Sequence, residues 1–202
     1  MELILASASP RRAEILRNAG IEFKVRKADV DESRLADEAP GDYVRRLALA
    51  KALSAAAAYD NSDDQTLVLG ADTVVVVDAE VLGKPASRDD ARSMLRRISG
   101  RIHEVHTGLA LLQTPGTMRR VVEEITRVQF APMTDQEIEE YVATGEPVDK
   151  AGAYAIQGMG GRHVTRIEGC YFNVMGLPLA RLWSLLGEFG WPNSSEFRSA
   201  AK

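Results

Sequence analysis

The chain of 202 residues contains a single cysteine, Cys170, which excludes an internal disulfide and a thiolate-based zinc site. No apolar run approaches the ~18 residues that a membrane-spanning helix needs, and the apolar stretch 1–6 is too short for a signal peptide or a span. No long Lys/Arg run is present and the formal net charge is −4, which argues against a protein whose main task is to grip a nucleic-acid backbone. These absences lead to the expectation of a soluble cytoplasmic protein with no membrane and no nucleic-acid partner. Familiar catalytic signatures are missing too. There is no G-x-S-x-G elbow, no Gly-Lys-Ser/Thr after a glycine-rich run and no dinucleotide fingerprint. The GMGG run at 158–161 looks like a phosphate loop only superficially and reads as a flexible loop. His103 and His106 lie three apart in a predicted strand, so they point to opposite faces and cannot chelate one metal together.

What the chain does have is 45% apolar content, enough for one large core or two small lobes. Short apolar runs alternate with helical patterns, which predicts an α/β class with a mixed sheet. Strands are expected at 2–6, at 22–26 and through LVLGADTVVVVD, and a long hairpin pairs 101–113 with 118–130. Helices are expected from Pro10 to a stop at Gly20, over 41–58 up to the polar YDNSDDQ, over 88–99, from a Thr134/Glu137 capping box to near Gly145, and over 177–189. With no internal repeat or linker, residues 1–192 read as a single domain and 193–202 as a flexible tail.

Within this framework, polar residues in apolar surroundings stand out. Ser9 is a suitable N-cap and Pro10 fits the first helical position, yet Arg11 and Arg12 then place two guanidinium groups where the helix dipole is already positive. Such a pair calls for an anion. Asp72 interrupts a strand that is otherwise apolar, so it requires a partner or a metal, or else it caps a strand break at Gly70. Pro85 holds Lys84 extended, which aims its ammonium from a turn; a solvated loop lysine is the competing reading. Lys51 continues the stripe of Val44, Leu47 and Ala48 that should face the core, as a functional lysine or a snorkelling one. Asp31 and Glu32 precede that helix in a polar loop. Cations that clamp an oxyanion, with Glu32 and Asp72 to hold a hard metal or deprotonate water, are the equipment of phosphoryl or nucleotidyl chemistry.

Four segments in register, LILASASPRRAEIL, GADTVVVVDAEVLGKP, KAGAYAIQG and GCYFNVMGLPLARL, resemble the Maf family of nucleoside triphosphate pyrophosphatases over nearly the whole chain. The resemblance implies an elongated Maf/ITPase-like α/β fold, with a central twisted mixed sheet flanked by helices and a cleft between two lobes, usually as a homodimer. It implies conversion of a nucleoside triphosphate to the monophosphate and pyrophosphate with a divalent cation, Mg²⁺ or Mn²⁺, in nucleotide housekeeping or restraint of division. Adjacent arginines after Ser-Pro, Asp-Thr in the second motif and Gln in the third mark the branch that prefers dTTP, UTP and modified pyrimidine nucleotides. The 7-methyl-GTP branch has an aromatic and a Glu at the first Arg and the Gln. By the same resemblance Asp72 is the general base, a metal ligand, or both. Arg11, Thr73 and Gln157 match positions tied to substrate choice. Ser7, Arg12, Glu32, Lys51 and Lys84 match polar residues of the cleft, with Glu32 helping metal or water. Asn173 either supports the cleft wall or stabilises a turn before Gly176, and Lys150 and Tyr154 lie in the third motif without individual roles. A non-catalytic nucleotide-binding regulator of division is the alternative from a different class; intact Asp72 and Lys84 favour catalysis.

Overall fold

The computed structural model describes residues 1–59 and 65–191. The tail expected from 193 onward and most of the polar YDNSDDQ stretch lie outside the described residues. A seven-stranded mixed sheet forms the centre, in the order β2-β1-β3-β5-β6-β7, with β4 also paired to β3. Its strands are β1 (Glu2–Ala6), β2 (Lys24–Val25), β3 (Thr66–Val77), β4 (Glu80–Leu82), β5 (Ile102–Thr114), β6 (Arg119–Phe130) and β7 (Val164–Glu168). The helices are α1 (Pro10–Asn18), α2 (Pro40–Ala56), α3 (Arg88–Ile98), α4 (Asp135–Ala143), α5 (Tyr171–Val174) and α6 (Leu179–Glu188). Among the described residues no helix is long and apolar enough to cross a membrane.

Strand β3 organises the molecule. Its odd-numbered residues face two cores on one side of the sheet. Leu67, Leu69 and Ala71 pack with Ile15 and Leu16 of α1 and Leu182 and Leu186 of α6. Val75 and Val77 pack instead with Leu95 of α3 and Ile138 and Tyr141 of α4. Period-2 alternation puts Thr73 on this face between the two cores, where a cleft opens. The even-numbered residues Val68, Val74 and Val76 face α2, whose Ala48, Ala52 and Ala55 let it lie close. That approach requires glycine on the sheet. A Cβ at Gly70 would fall 2.0 Å from Ala48 O, and one at Gly108 2.2 Å from Val44 O.

Pairing along β3 explains where the cleft opens. β5 occupies one edge throughout, from Thr66↔Thr114 to Val76↔Glu104. The other edge is shared: parallel β1 ends with Ala6↔Gly70, and antiparallel β4 begins its register at Val75↔Leu82. Residues 71–74 are left between them on an open edge. Both neighbours point their carboxyl ends at this gap, so the residues that follow them, from Ser7 into α1 and from Gly83 to Lys84, are delivered there.

Several local details differ from the sequence expectations. The strand expected at 22–26 keeps only Lys24–Val25, because Ile4 and Leu5 are its sole partners at a sheet edge. Ser9 occupies the N-cap position of α1 without a side-chain cap; its N–H donates to Ser7 Oγ at 3.2 Å instead. The α4 capping box forms as expected, with Glu137 N–H donating to Thr134 Oγ1 at 3.2 Å and Thr134 N–H to Glu137 Oε2 at 2.7 Å. The last helix begins at Leu179 rather than 177, preceded by the short α5.

Candidate active site

At the gap in the β3 edge lies a cavity of about 270 Å³. Its lining includes Arg11, Arg12, Glu32, Lys51, Asp72, Thr73, Lys84 and Gln157, so eight of the nine residues singled out from sequence meet there. Ser7, the ninth, is buried just behind and accepts from Arg12 Nη1 at 3.0 Å. Tyr43, Lys150, Tyr154 and Met175 are among the other residues of its walls.

The α2 face supplies a carboxylate held by an ammonium. Lys51 Nζ lies 2.6 Å from Asp72 Oδ1 and 2.6 Å from Glu32 Oε1, and only 11% of the Lys51 side chain is exposed. Burial raises the Asp72 pKa above the ordinary carboxylate value; the charges of Lys51 and Arg12 pull it down without prevailing. Desolvation thus outweighs pairing, the condition under which a carboxylate becomes a competent base nearer neutral pH. Glu32 sits on a loop fastened to α2, where Tyr43 Oη donates to its carbonyl at 2.8 Å and Arg46 Nη2 to the carbonyl of Ser33 at 3.0 Å. Asp31 keeps a local role and accepts from the Ser33 N–H at 2.8 Å.

The two adjacent arginines have different work. Arg12 turns inward and is buried, with Nε donating to Gly176 O at 2.7 Å, Nη1 to Ser7 and Nη2 to Thr73 Oγ1 at 3.0 Å. One guanidinium therefore ties the end of β1, the middle of β3 and the turn before α6. Its planar fork suits three acceptors fixed in different directions. Arg11 lines the open side; burial lowers its pKa, opposed by the charge of Asp149. Asp149 also forms an ion pair with Lys150, whose side chain is mostly covered. Lys84 is exposed at the rim, and among the described residues it has no ion-pair partner.

His103 and His106, three apart on β5, lie outside the cavity lining and face different partners. His103 Nε2 contacts Tyr154 Oη at 2.9 Å, and burial pushes its pKa down to about 4, so it is a neutral core residue beneath the cleft wall. His106 faces Glu123 at 2.7 Å and Glu104 at 3.1 Å. Asn173 is a wall support: fully buried, its Nδ2 faces Val105 O at 2.9 Å, Thr126 Oγ1 at 3.0 Å and Glu124 O at 3.2 Å, which fixes α5 to β5 and β6. The GMGG segment is not the loose loop expected. It enters a 3-10 turn, Met159–His163, whose Met159 and Gly160 amides donate to Glu146 at 2.9 and 3.0 Å.

Tyr43 is not singled out by the sequence, and Lys150 stands in the third motif without a role. Tyr43 reads as one more residue of α2, and Lys150 becomes meaningful only when Asp149 and Arg11 are seen beside it. Among the described residues no group of three or more His, Cys, Asp or Glu side chains gathers that could hold a metal. Glu32 and Asp72 are two hard oxygen donors converging on one cationic centre, the Lys51 ammonium. Such a pair fits Mg²⁺-type binding, in which one or two carboxylates act together with substrate phosphates and water.

The family model described as Maf-like protein matches residues 2–189. A dTTP/UTP pyrophosphatase of Symbiobacterium thermophilum is 51% identical over 191 residues, covering 95% of each chain. One of Koribacter versatilis is 53% identical over 191 residues, covering 94% of this chain and 95% of its own. With a match of this length, the chain belongs to the Maf-like protein family.

Proposed function

We propose that this protein hydrolyses dTTP, UTP and modified pyrimidine nucleoside triphosphates to the monophosphate and pyrophosphate. The observation that carries the reading is Asp72, a carboxylate with a raised pKa, joined by Glu32 in a cleft whose lining gathers the cations Arg11, Arg12, Lys51, Lys84 and Lys150. Relatives about half identical over nearly their full length bear the name dTTP/UTP pyrophosphatase, which supports the same substrate class.

In this reading, water attacks the α-phosphorus while Asp72 takes its proton. The bond from the α-phosphorus to the α,β-bridging oxygen breaks, and its electron pair leaves with pyrophosphate. Lys51, Lys84 and Arg11 stabilise the charge that accumulates on the departing diphosphate. Arg12, backed by Ser7, holds Thr73 and the Gly176 turn in place. Arg11, Thr73 and Gln157 set substrate choice. Glu32 and Asp72 would hold a divalent cation, Mg²⁺ or Mn²⁺, which when bound neutralises phosphate charge and acidifies water. The reading includes a homodimer working in the cytoplasm, which sedimentation and cell fractionation would check.

Its test is a panel of nucleotides incubated with the purified protein and Mg²⁺ or Mn²⁺, with phosphorus NMR of the products. Monophosphate and pyrophosphate are expected, with dTTP and UTP fastest, and a chelator should stop turnover until metal is restored. Diphosphate and orthophosphate would instead indicate attack at the γ-phosphorus. Nucleotide binding with no turnover under any metal would make the protein a sensor.

A further inference from the structure

The glycine-rich turn at 158–161 does hold an anion, and that anion is a side chain of the same molecule. Glu146 Oε1 accepts from Tyr141 Oη at 2.6 Å and from Gly160 N–H at 3.0 Å, and its Oε2 accepts from Met159 N–H at 2.9 Å. Tyr141 Oη in turn accepts from Ala155 N–H at 3.1 Å. The pair therefore fastens the main chain at both ends of the segment 155–160. Charge-assisted bonds from successive backbone amides form a nest of the kind that elsewhere receives phosphate.

The glycines follow from this arrangement. A Cβ at Gly158 would lie 2.2 Å from Glu146 Oε2, and one at Gly160 2.5 Å from Tyr141 Oη. The ring of Tyr141 is wholly buried in the core between β3, α3 and α4, so the anchor is rigid. Burial acts to raise the Glu146 pKa, but the bonds from Tyr141, Met159 and Gly160 prevail and hold it below the ordinary value.

The fastened segment presents Ala155, Ile156 and Gln157 to the cavity, a stretch of wall without a charged side chain. None of the cations that line the cavity, Arg11, Arg12, Lys51, Lys84 and Lys150, belongs to this stretch. A triphosphate belongs with the cations, so the uncharged wall is left for the nucleobase. Glu146 itself does not line the cavity.

We propose that Glu146, bound as an internal anion by the 159–160 amides and Tyr141, is the positioning residue that sets the 155–157 wall and with it the discrimination between nucleobases. The inference rests on the cleft being a dTTP/UTP pyrophosphatase site. Glu146→Gln keeps the size of the side chain but substitutes an amide donor for one acceptor, which leaves an amide N–H or the Tyr141 hydroxyl facing another donor.

The experiment measures kcat and KM for dTTP and dCTP, which share the sugar and differ only in the base, together with inhibition by inorganic tripolyphosphate, which has no base. For Glu146→Gln the expected result is a rise of about tenfold in KM for dTTP with kcat within about threefold, and a loss of about tenfold in the dTTP-over-dCTP ratio of kcat/KM. Inhibition by tripolyphosphate should stay within about twofold of the wild type, because the phosphate side is untouched. Tyr141→Phe leaves the ring in its core position and removes only the hydroxyl, so it should move the same ratio in the same direction, and it decides the matter if Glu146→Gln does not fold. An unchanged dTTP-over-dCTP ratio in the folded variants overturns the proposal, as does loss of tripolyphosphate inhibition in step with dTTP. A wild-type protein without pyrophosphatase activity removes the reading beneath it instead.

Discussion

Lys51 Nζ and Asp72 Oδ1 are 2.6 Å apart between α2 and β3, yet burial raises the Asp72 pKa in spite of that contact. The pair is not arranged for stability. A carboxylate whose charge costs more to bury than its partner returns is a candidate for a functional rather than a stabilising role.

Asp72→Asn tests this directly. It keeps the side-chain shape and removes the base, so kcat should fall by about 10²-fold or more while nucleotide binding persists. Because the folded protein already disfavours the charge, the thermal midpoint should hold or rise. Undiminished kcat would remove Asp72 as the general base.

Lys51→Met takes away the largest influence that lowers the Asp72 pKa. The base works when deprotonated, so the acid limb of kcat/KM should move to higher pH. Stability changes with the matching sign. A carboxyl raised in the folded state contributes stability that is full below its ordinary value of 3.8 and is lost as pH rises through the folded value. In the variant that loss should extend further toward neutral pH, as Tm measured against pH would record. An acid limb unmoved in Lys51→Met would assign it to another group.

Gly70→Ala and Gly187→Ala should have opposite signs. At Gly70 the new Cβ meets Ala48 O at 2.0 Å and Ala52 N at 2.8 Å, both backbone atoms of α2. The helix must move, at a cost of about 3 kcal/mol and a fall in Tm of roughly 10 °C. Lys51 moves with it, so activity should fall as well. Gly187 is exposed near the end of α6 with nothing within 4 Å, and alanine there should stabilise by about 0.5 kcal/mol. Calorimetry of both variants checks the pair; a Gly70→Ala protein as stable as the wild type would mean that α2 does not lie as close as described.

Much of this was legible before any coordinates because the strands and helices that bear the site are strongly patterned. Asp72 stands out in its valine-rich strand, and the spacing of Val44, Leu47 and Ala48 points Lys51 at the same place. β4 and β7 were not legible, since Glu80–Leu82 is three residues long and Val164–Glu168 is mostly polar; both are held in place by pairing with β3 and β6. Nor could Glu146 be found, since a Glu before Pro147 carries no signal until the 158–161 turn folds around it. Tertiary contact, rather than local preference, determines each of these.

Their place at a helix start treats Arg11 and Arg12 alike, and the structure separates them. Successive residues on a helix point about 100° apart, so when Arg12 faces the core, Arg11 is left on the open side of the cleft. Arg12 uses Nε, Nη1 and Nη2 on Gly176, Ser7 and Thr73, a set of bonds that an ammonium cannot reproduce. Arg12→Lys should leave at least one buried acceptor unmatched and lower stability by about 2–3 kcal/mol, with kcat/KM falling because Thr73 and the Gly176 turn are no longer held. Arg11→Lys should keep stability within about 0.5 kcal/mol and raise KM. Denaturant titration alongside steady-state kinetics distinguishes the two roles. An Arg12→Lys protein of wild-type stability with only a raised KM would make Arg12 a phosphate clamp like its neighbour.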